Sequence, residues 1–172
     1  IIAPFVAPYD PVVQDLTLRL KAPSAAHIFG TDNFGRDILT RVLYGGRISL
    51  LIALFGALIG AVIGGLIGAT AGYFGNAYDN IAMRLMDILM AIPSTLLAIA
   101  ISAALGSGVV NTMIAVGVGS VPLFARVTRS AVLSVREQEY IESSKAIGAG
   151  NMRIIFKHII PNAFASALVI FT

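Results

Sequence analysis

The chain has 172 residues, of which 57% are hydrophobic and 12% charged, against roughly 25% charged in an ordinary soluble domain. Its mean hydropathy of +0.87 excludes a soluble globular domain and requires an apolar solvent. A formal net charge of +3 without a Lys/Arg-rich run gives no basis for nucleic-acid binding, and the lack of cysteine excludes disulfides, thiolate metal sites and a cysteine nucleophile.

The chain opens on Ile1-Ile2-Ala3-Pro4-Phe5, which reads like the tail of an earlier apolar helix. It is too short, and lacks the basic flank, for a signal peptide. At the other end an apolar run from Ala163 stops at Thr172. The chain is therefore expected to be an internal piece of a longer membrane protein. Pro4, Pro8, Asp10 and Pro11 predict an extended start. Over residues 37–44, Ile38 pairs with Val42 and Leu39 with Leu43 at helical spacing, and Asp37 with Arg41 on another side. That pattern predicts a short helix on the membrane surface, whose plainest account is an amphipathic cap.

From Ile48 to Tyr78 no residue is charged. A spanning helix needs about 20 apolar residues, so a first span is expected over residues 48–71. Gly56, Gly60, Gly64, Gly68 and Gly72 recur every fourth residue along it, beside a second small-residue row of Ala57, Ala61, Gly65 and Ala69. A face without side chains lets another helix approach closely, and in lipid such packing replaces the hydrophobic drive. The pattern leaves open whether the neighbour lies in this chain or in a partner.

A second charge-free run, from Ile88 to Ala125, is too long for one span. Gly106-Ser107-Gly108 divides it, into spans expected over 87–105 and 109–125. Pro93 lacks an N–H and is expected to kink the former. Arg84 and Asp87, three apart, are read as an ion pair at its inner end. Within the three spans no ionisable residue is expected. Arg126, Arg129, Arg136, Lys145, Arg153 and Lys157 place residues 126–160 in the cytoplasm by the positive-inside rule. Residues 1–47 then lie outside, and residues 48–172 form the transmembrane domain. A fourth span is expected from Pro161, a residue suited to a first helical turn.

The segment from Glu137 to Gly150 is polar and helix-compatible as far as Ile147. Gly148 and Gly150 then permit a turn with positive φ. In the next short helix Met152, Ile155, Phe156 and Ile159 are spaced as one apolar stripe. Two short helices joined by a glycine elbow between membrane spans form a lever that could carry force from a soluble domain. Periodicity alone would equally fit an ordinary hairpin.

Here the sequence resembles the permease subunits of bacterial ABC importers. Their cytoplasmic "EAA" loop reads Glu-Ala-Ala, three residues, Gly, nine residues, Ile, one residue, Leu-Pro. This chain has Glu142-Ser143-Ser144, Gly148 at the required spacing, then His158 and Ile160-Pro161. It departs by two serines for alanines, His158 for Ile and Ile160 for Leu; the substitutes at 143, 144 and 160 keep size or polarity compatible with the loop. Gly30-Thr31-Asp32, Gly35-Arg36-Asp37, Arg41, Gly45-Gly46-Arg47-Ile48-Ser49-Leu50, Ala7-Pro8-Tyr9-Asp10-Pro11 and Ile92-Pro93 resemble the dipeptide, oligopeptide and nickel group, in its C-type subunits.

The resemblance implies an all-α polytopic bundle in the bacterial inner membrane, with a first span and later spans beyond this piece. It implies a homologous B-type permease, two ABC ATPase subunits and an extracytoplasmic solute-binding protein as partners. It also implies docking of an ATPase at Glu142, Ser143, Ser144, Ala146, Ile147 and Gly148, with Glu142 facing a basic or N–H donor. The chain lacks the Gly-x-x-x-x-Gly-Lys-Ser/Thr loop that cradles ATP phosphates, so hydrolysis is expected in the partners and neither cofactor nor metal in this chain. His158 reads as a polar interface residue rather than a ligand. Peptides, glutathione and nickel chelates stay open as solutes. A secondary transporter would call for a buried carboxylate and an inverted repeat, a membrane enzyme for a spaced catalytic cluster, and a purely structural subunit would have no use for the docking loop.

Overall fold

The computed structural model describes residues 3–162; the body of the expected fourth span, residues 163–172, lies outside them. In chain order the elements are α1 (Ala3–Val6), a 3-10 turn (Leu16–Leu18), α2 (Ile38–Phe74), α3 (Asn76–Ala91), α4 (Ser94–Leu105), α5 (Val109–Arg136), α6 (Glu139–Ala146) and α7 (Asn151–Ile154), which runs into a π turn (Ile155–Ile159). Among the described residues there is no β-strand, only an isolated bridge between Thr31 and Asp37. The chain divides into two compact units, Ile1–Leu51 and Ile52–Thr172.

The first unit is organised by two carboxylates. Asp32 accepts the backbone N–H groups of Phe34 (2.8 Å) and Arg36 (3.0 Å), the Arg36 Nε–H (2.8 Å), and a hydrogen bond from Arg41. Asp37 lies 3.0 Å from His27 Nδ1 and accepts the Thr40 N–H at 2.8 Å. The expected pairing of Asp37 with Arg41 is not made. Asp37 stands immediately before α2, where a carboxylate caps the free N–H groups of the first turn, and this turns it toward His27. Arg41 reaches the Asp32 turn instead.

Partial desolvation raises the Asp32 carboxyl, but the bonds from Arg36, Phe34 and Arg41 outweigh it and hold the group well below the usual carboxylate range. At Asp37, burial is likewise outweighed by the bonds from Thr40 and His27. A depressed carboxylate contributes stability above its unfolded pKa and loses that contribution as pH falls through the folded value. The amides of Phe34, Arg36 and Thr40 are thus expected to stay protected from hydrogen exchange above about pH 4 and to lose protection progressively below it. Protection that is flat through the acid range would contradict this account of the unit.

The surface helix expected over 37–44 and the span expected over 48–71 are one helix, α2. Gly45 and Gly46 do not break it, although each has open space around it. A helical glycine costs only about 1 kcal/mol relative to alanine, and long apolar runs flank the pair. With 37 residues, α2 is about 55 Å long, well beyond the roughly 30 Å of a hydrocarbon core.

In the second unit the glycine face of α2 lies directly on α5. A Cβ on Gly64 would stand 2.9 Å from the Ala125 nitrogen and closer still to the Val121 carbonyl oxygen. On Gly68 it would stand 2.9 Å from the Arg129 nitrogen, with the Ala125 carbonyl oxygen nearer. Gly56 faces Val116, and Gly60 faces Ser120 and Phe124. The neighbour of this face is thus a helix of the same chain, approached backbone to backbone.

The span expected over 87–105 is two helices. α3 begins at Asn76 rather than near residue 87, and α3 and α4 meet at 89°. Ile92, ahead of the proline, is extended (φ −86°, ψ 124°), and Pro93 (φ −51°, ψ 127°) opens α4. The proline ring disfavours helical geometry in the preceding residue, so the chain turns a corner where a milder kink was expected. α4 ends at Leu105, where Asn111 Nδ2 donates to the carbonyls of Leu105 (2.8 Å) and Gly106 (3.0 Å).

The third span, expected to end at residue 125, continues as α5 to Arg136, past an internal Pro122. Its cationic residues are therefore helical, and carboxylates on α3 receive two of them. Arg129 binds Asp79 through Nε and Nη2, both at 2.5 Å, and Arg126 binds Asp87. Asp87 thus pairs across helices, correcting its expected pairing with Arg84. α2 and α5 are each long and apolar enough to cross a membrane, and α3 with α4 adds a third crossing if the bent pair is taken as one span.

Candidate functional site

The hairpin that follows α5 is built on an apolar floor. Ile141 of α6, Ile154 of α7 and Ile155 and Ile159 of the π turn are all buried, packed with Val132 of α5 and with Ala69 and Tyr73 of α2. The buried face of the second arm therefore differs from the expected stripe. Met152 and Phe156 are 64% and 54% exposed, and Ile154 takes their place inside. The π turn is the cause: its wider winding aligns residues four and five apart, which brings Ile154, Ile155 and Ile159 to one side.

The opposite face of α6 is polar and open. Glu142, Ser143, Lys145, Ala146, Ile147 and Gly148 are exposed and Ser144 is half-buried, its hydroxyl donating to the Tyr140 carbonyl at 2.7 Å. Ile147, apolar and beyond the last helical residue, is 85% exposed. Glu139 and Glu142 stand in the first turn and Lys145 in the last, the arrangement that complements a helix dipole.

The elbow has a specific geometry. Gly148 adopts φ +82°, its N–H donates to the Lys145 carbonyl at 2.9 Å, and the Ala149 N–H donates to Ser144 at 3.0 Å. These paired bonds with a left-handed residue between them form a Schellman cap. Only Gly148 uses the left-handed region; Gly150 has φ −67° and precedes α7. The expected site residues 142–148 are thus contiguous in space as well as in sequence. Pro93 is not among them; it lies at the corner between α3 and α4.

Several contacts around the hairpin carry no sequence signature. Tyr73, 7% exposed, donates its hydroxyl to Asn151 Oδ1 at 2.8 Å, and Lys145 Nζ sits 5.4 Å from its ring centroid. Arg136 Nη1 donates to the carbonyls of Gly72 (3.1 Å) and Tyr73 (3.3 Å), satisfying the end of α2. Asp79 is a buried carboxylate, a feature not expected from the sequence. Both of its oxygens are engaged by Arg129, a bidentate pair that fixes α3 to α5. His158 lies 6.4 Å from the Tyr140 ring, centroid to centroid. Among the described residues no group of His, Cys, Asp and Glu is arranged to hold a metal.

Comparison with known proteins agrees with the motifs. Residues 64–172 match the family described as binding-protein-dependent transport system inner membrane component. A dipeptide transport system permease protein of Alkalihalophilus pseudofirmus is 46% identical over 151 residues, covering 88% of this chain and 50% of that protein. A di/tripeptide transport system permease protein of Pseudomonas aeruginosa is 43% identical, covering 97% of this chain and 57% of the relative. A glutathione transport system permease protein of Escherichia coli is 46% identical, covering 100% and 57%. The chain spans about half the length of the curated relatives it matches.

Proposed function

The chain belongs to the family of inner-membrane components of binding-protein-dependent transport systems, and from that premise we propose that it lines the pathway of an ABC importer for short peptides. The observation that carries the reading is the hairpin: an apolar underside seated on α2 and α5, an open polar face from Glu142 to Gly148, and a capped elbow between its arms. An ATPase subunit docks on that face, with Glu142 toward a cationic or N–H donor and Ile147 in an apolar recess. Hydrolysis takes place in the ATPase, and the permease itself performs no catalysis. Closure of two ATPase subunits on nucleotide displaces the hairpin, and the helices reorient between outward and inward access.

The chain is a multi-pass protein of the bacterial inner membrane. In the proposed topology the hairpin faces the cytoplasm, residues 1–47 lie outside and residues 48–172 form the membrane domain. A homologous permease of the B-type completes the pathway, and an extracytoplasmic binding protein delivers the solute. The names of the relatives, dipeptide, di/tripeptide and glutathione permeases, support a short peptide or glutathione over a nickel chelate. The corner at Pro93 supplies a deformable point beside the pathway. A secondary carrier is disfavoured because the buried carboxylate Asp79 is already committed to Arg129.

Reconstitution of the complete transporter in proteoliposomes tests the reading. Di- and tripeptides added with the binding protein should raise ATP hydrolysis and accumulate on the side that carries the ATPase, opposite the binding protein. Peptide accumulation driven by a proton or sodium gradient without ATP would refute it.

A further inference from the structure

The elbow of the hairpin is lightly held. A Cβ at Gly148 or at Gly150 would meet nothing within 4 Å, and besides the cap itself the turn is restrained by Ala149, half-buried against the floor. Both arms instead converge on one side chain of a distant helix. Tyr73, near the end of α2, bonds Asn151 at the head of α7 (2.8 Å) and carries Lys145, near the end of α6, over its ring face (5.4 Å). Its ring belongs to the core formed by Ile141 from one arm and Ile154, Ile155 and Ile159 from the other. Its carbonyl accepts Arg136, the last residue of α5. Four elements therefore meet at this residue, whose hydroxyl bond to Asn151 closes a sequence separation of 78 residues.

We propose that Tyr73 is the joint that fixes the two arms of the hairpin to each other and to α2, so that displacement of α6 is carried into α2 as well as into the adjoining α5. Tyrosine suits this role because it offers an apolar ring for the floor, a π face for a cation and a hydroxyl for the second arm. The glycine face then makes α2 and α5 one body: backbones in direct contact cannot slide without a clash, and a push at the joint moves both. Tyr73 acts here as a positioning residue, and the mechanical consequence rests on the docking role proposed for the hairpin.

The arms are tested directly by spin labels at Glu139→Cys and Met152→Cys, exposed positions on α6 and α7, in the complete permease in nanodiscs. A single narrow distance distribution is expected. Tyr73→Phe, which keeps the ring, and Asn151→Ala should each raise the population of longer distances about fivefold, the loss of one hydrogen bond. The double variant should be no broader than either single one, because both remove the same bond. Unchanged distributions in both single variants, or losses that add in the double, would overturn the joint. In the complete transporter Tyr73→Phe should retain the ATPase and its basal hydrolysis while moving several-fold less peptide per ATP. Wild-type coupling in that variant would also overturn it. Label distributions that behave as expected in a permease that holds no ATPase would uphold the joint and remove the docking role, which separates the two failures.

Discussion

A Gly64→Leu substitution is expected to abolish accumulation of folded protein in the membrane, and Gly68→Ala alone to lower stability by about 1–3 kcal/mol. The atoms in the way decide the size of the effect. At both positions the nearest neighbours include backbone atoms of α5: Val121 oxygen and Ala125 nitrogen at Gly64, Ala125 oxygen and Arg129 nitrogen at Gly68. A flexible side chain could rotate away, but a helix backbone moves only as a whole. Separating α2 from α5 would also strip the contacts that Ala125, Val121 and Val132, all buried, make across the pair. Lipid gives no hydrophobic compensation for a looser fit. Gly45→Ala and Gly46→Ala, on the same helix with open space around them, should be neutral or slightly stabilising. Membrane yield of Gly64→Leu, with thermal unfolding of the other three variants in nanodiscs, checks the contrast. Wild-type yield of Gly64→Leu, or equal midpoints for Gly68→Ala and wild type, would show that α2 and α5 do not pack as described.

Gly148→Pro is expected to lower ATPase capture at least about tenfold, equivalent to 1.4 kcal/mol or more. Gly148 sits at φ +82° and donates its N–H to Lys145. Proline is locked near φ −65° and has no N–H to give, so the cap that ends α6 is lost and the exposed face loses its shape. Gly148→Ala keeps the N–H and incurs only the left-handed cost of about 1–2 kcal/mol, and so should fall between. Glu142→Arg leaves the backbone intact and reverses the charge on the face. Opposing like charges at an interface costs several kcal/mol, so capture should again fall at least about tenfold. Gly46→Ala serves as the control. Capture from membranes at fixed ATPase concentration measures all four, and undiminished capture by both Gly148→Pro and Glu142→Arg would contradict the docking face.

Much of this was legible in the sequence, and the failures have physical causes. The charge-free runs located the helices, because the bilayer leaves few alternatives to an apolar helix. The four-residue glycine spacing marked a close helix contact, and positive φ at Gly148 followed from residue type. The observed helix ends differ from the expected ones because charge does not end a helix here. Arg126 and Arg129 do not stop α5, because Asp87 and Asp79 on another helix receive them, and such pairings across helices leave no local pattern. The corner at Ile92-Pro93 was visible as a proline, but its 89° bend depends on how α3 and α4 each pack on α5. The buried face of the second arm differs from its apolar stripe because α-helical periodicity does not hold throughout, and the π turn over Ile155–Ile159 shifts the inward face. Tyr73 carried no signal: in sequence it is one aromatic residue near the end of an apolar helix.

The central claim, that a nucleotide-hydrolysing subunit bears on the open face of the hairpin inside the cell, is tested most directly at Ile147, 85% exposed. In cells producing the complete transporter, Ile147→Cys should cross-link to the ATPase subunit and resist membrane-impermeant maleimide added outside intact cells. Rapid labelling from outside, with no cross-link to an ATPase, would contradict it.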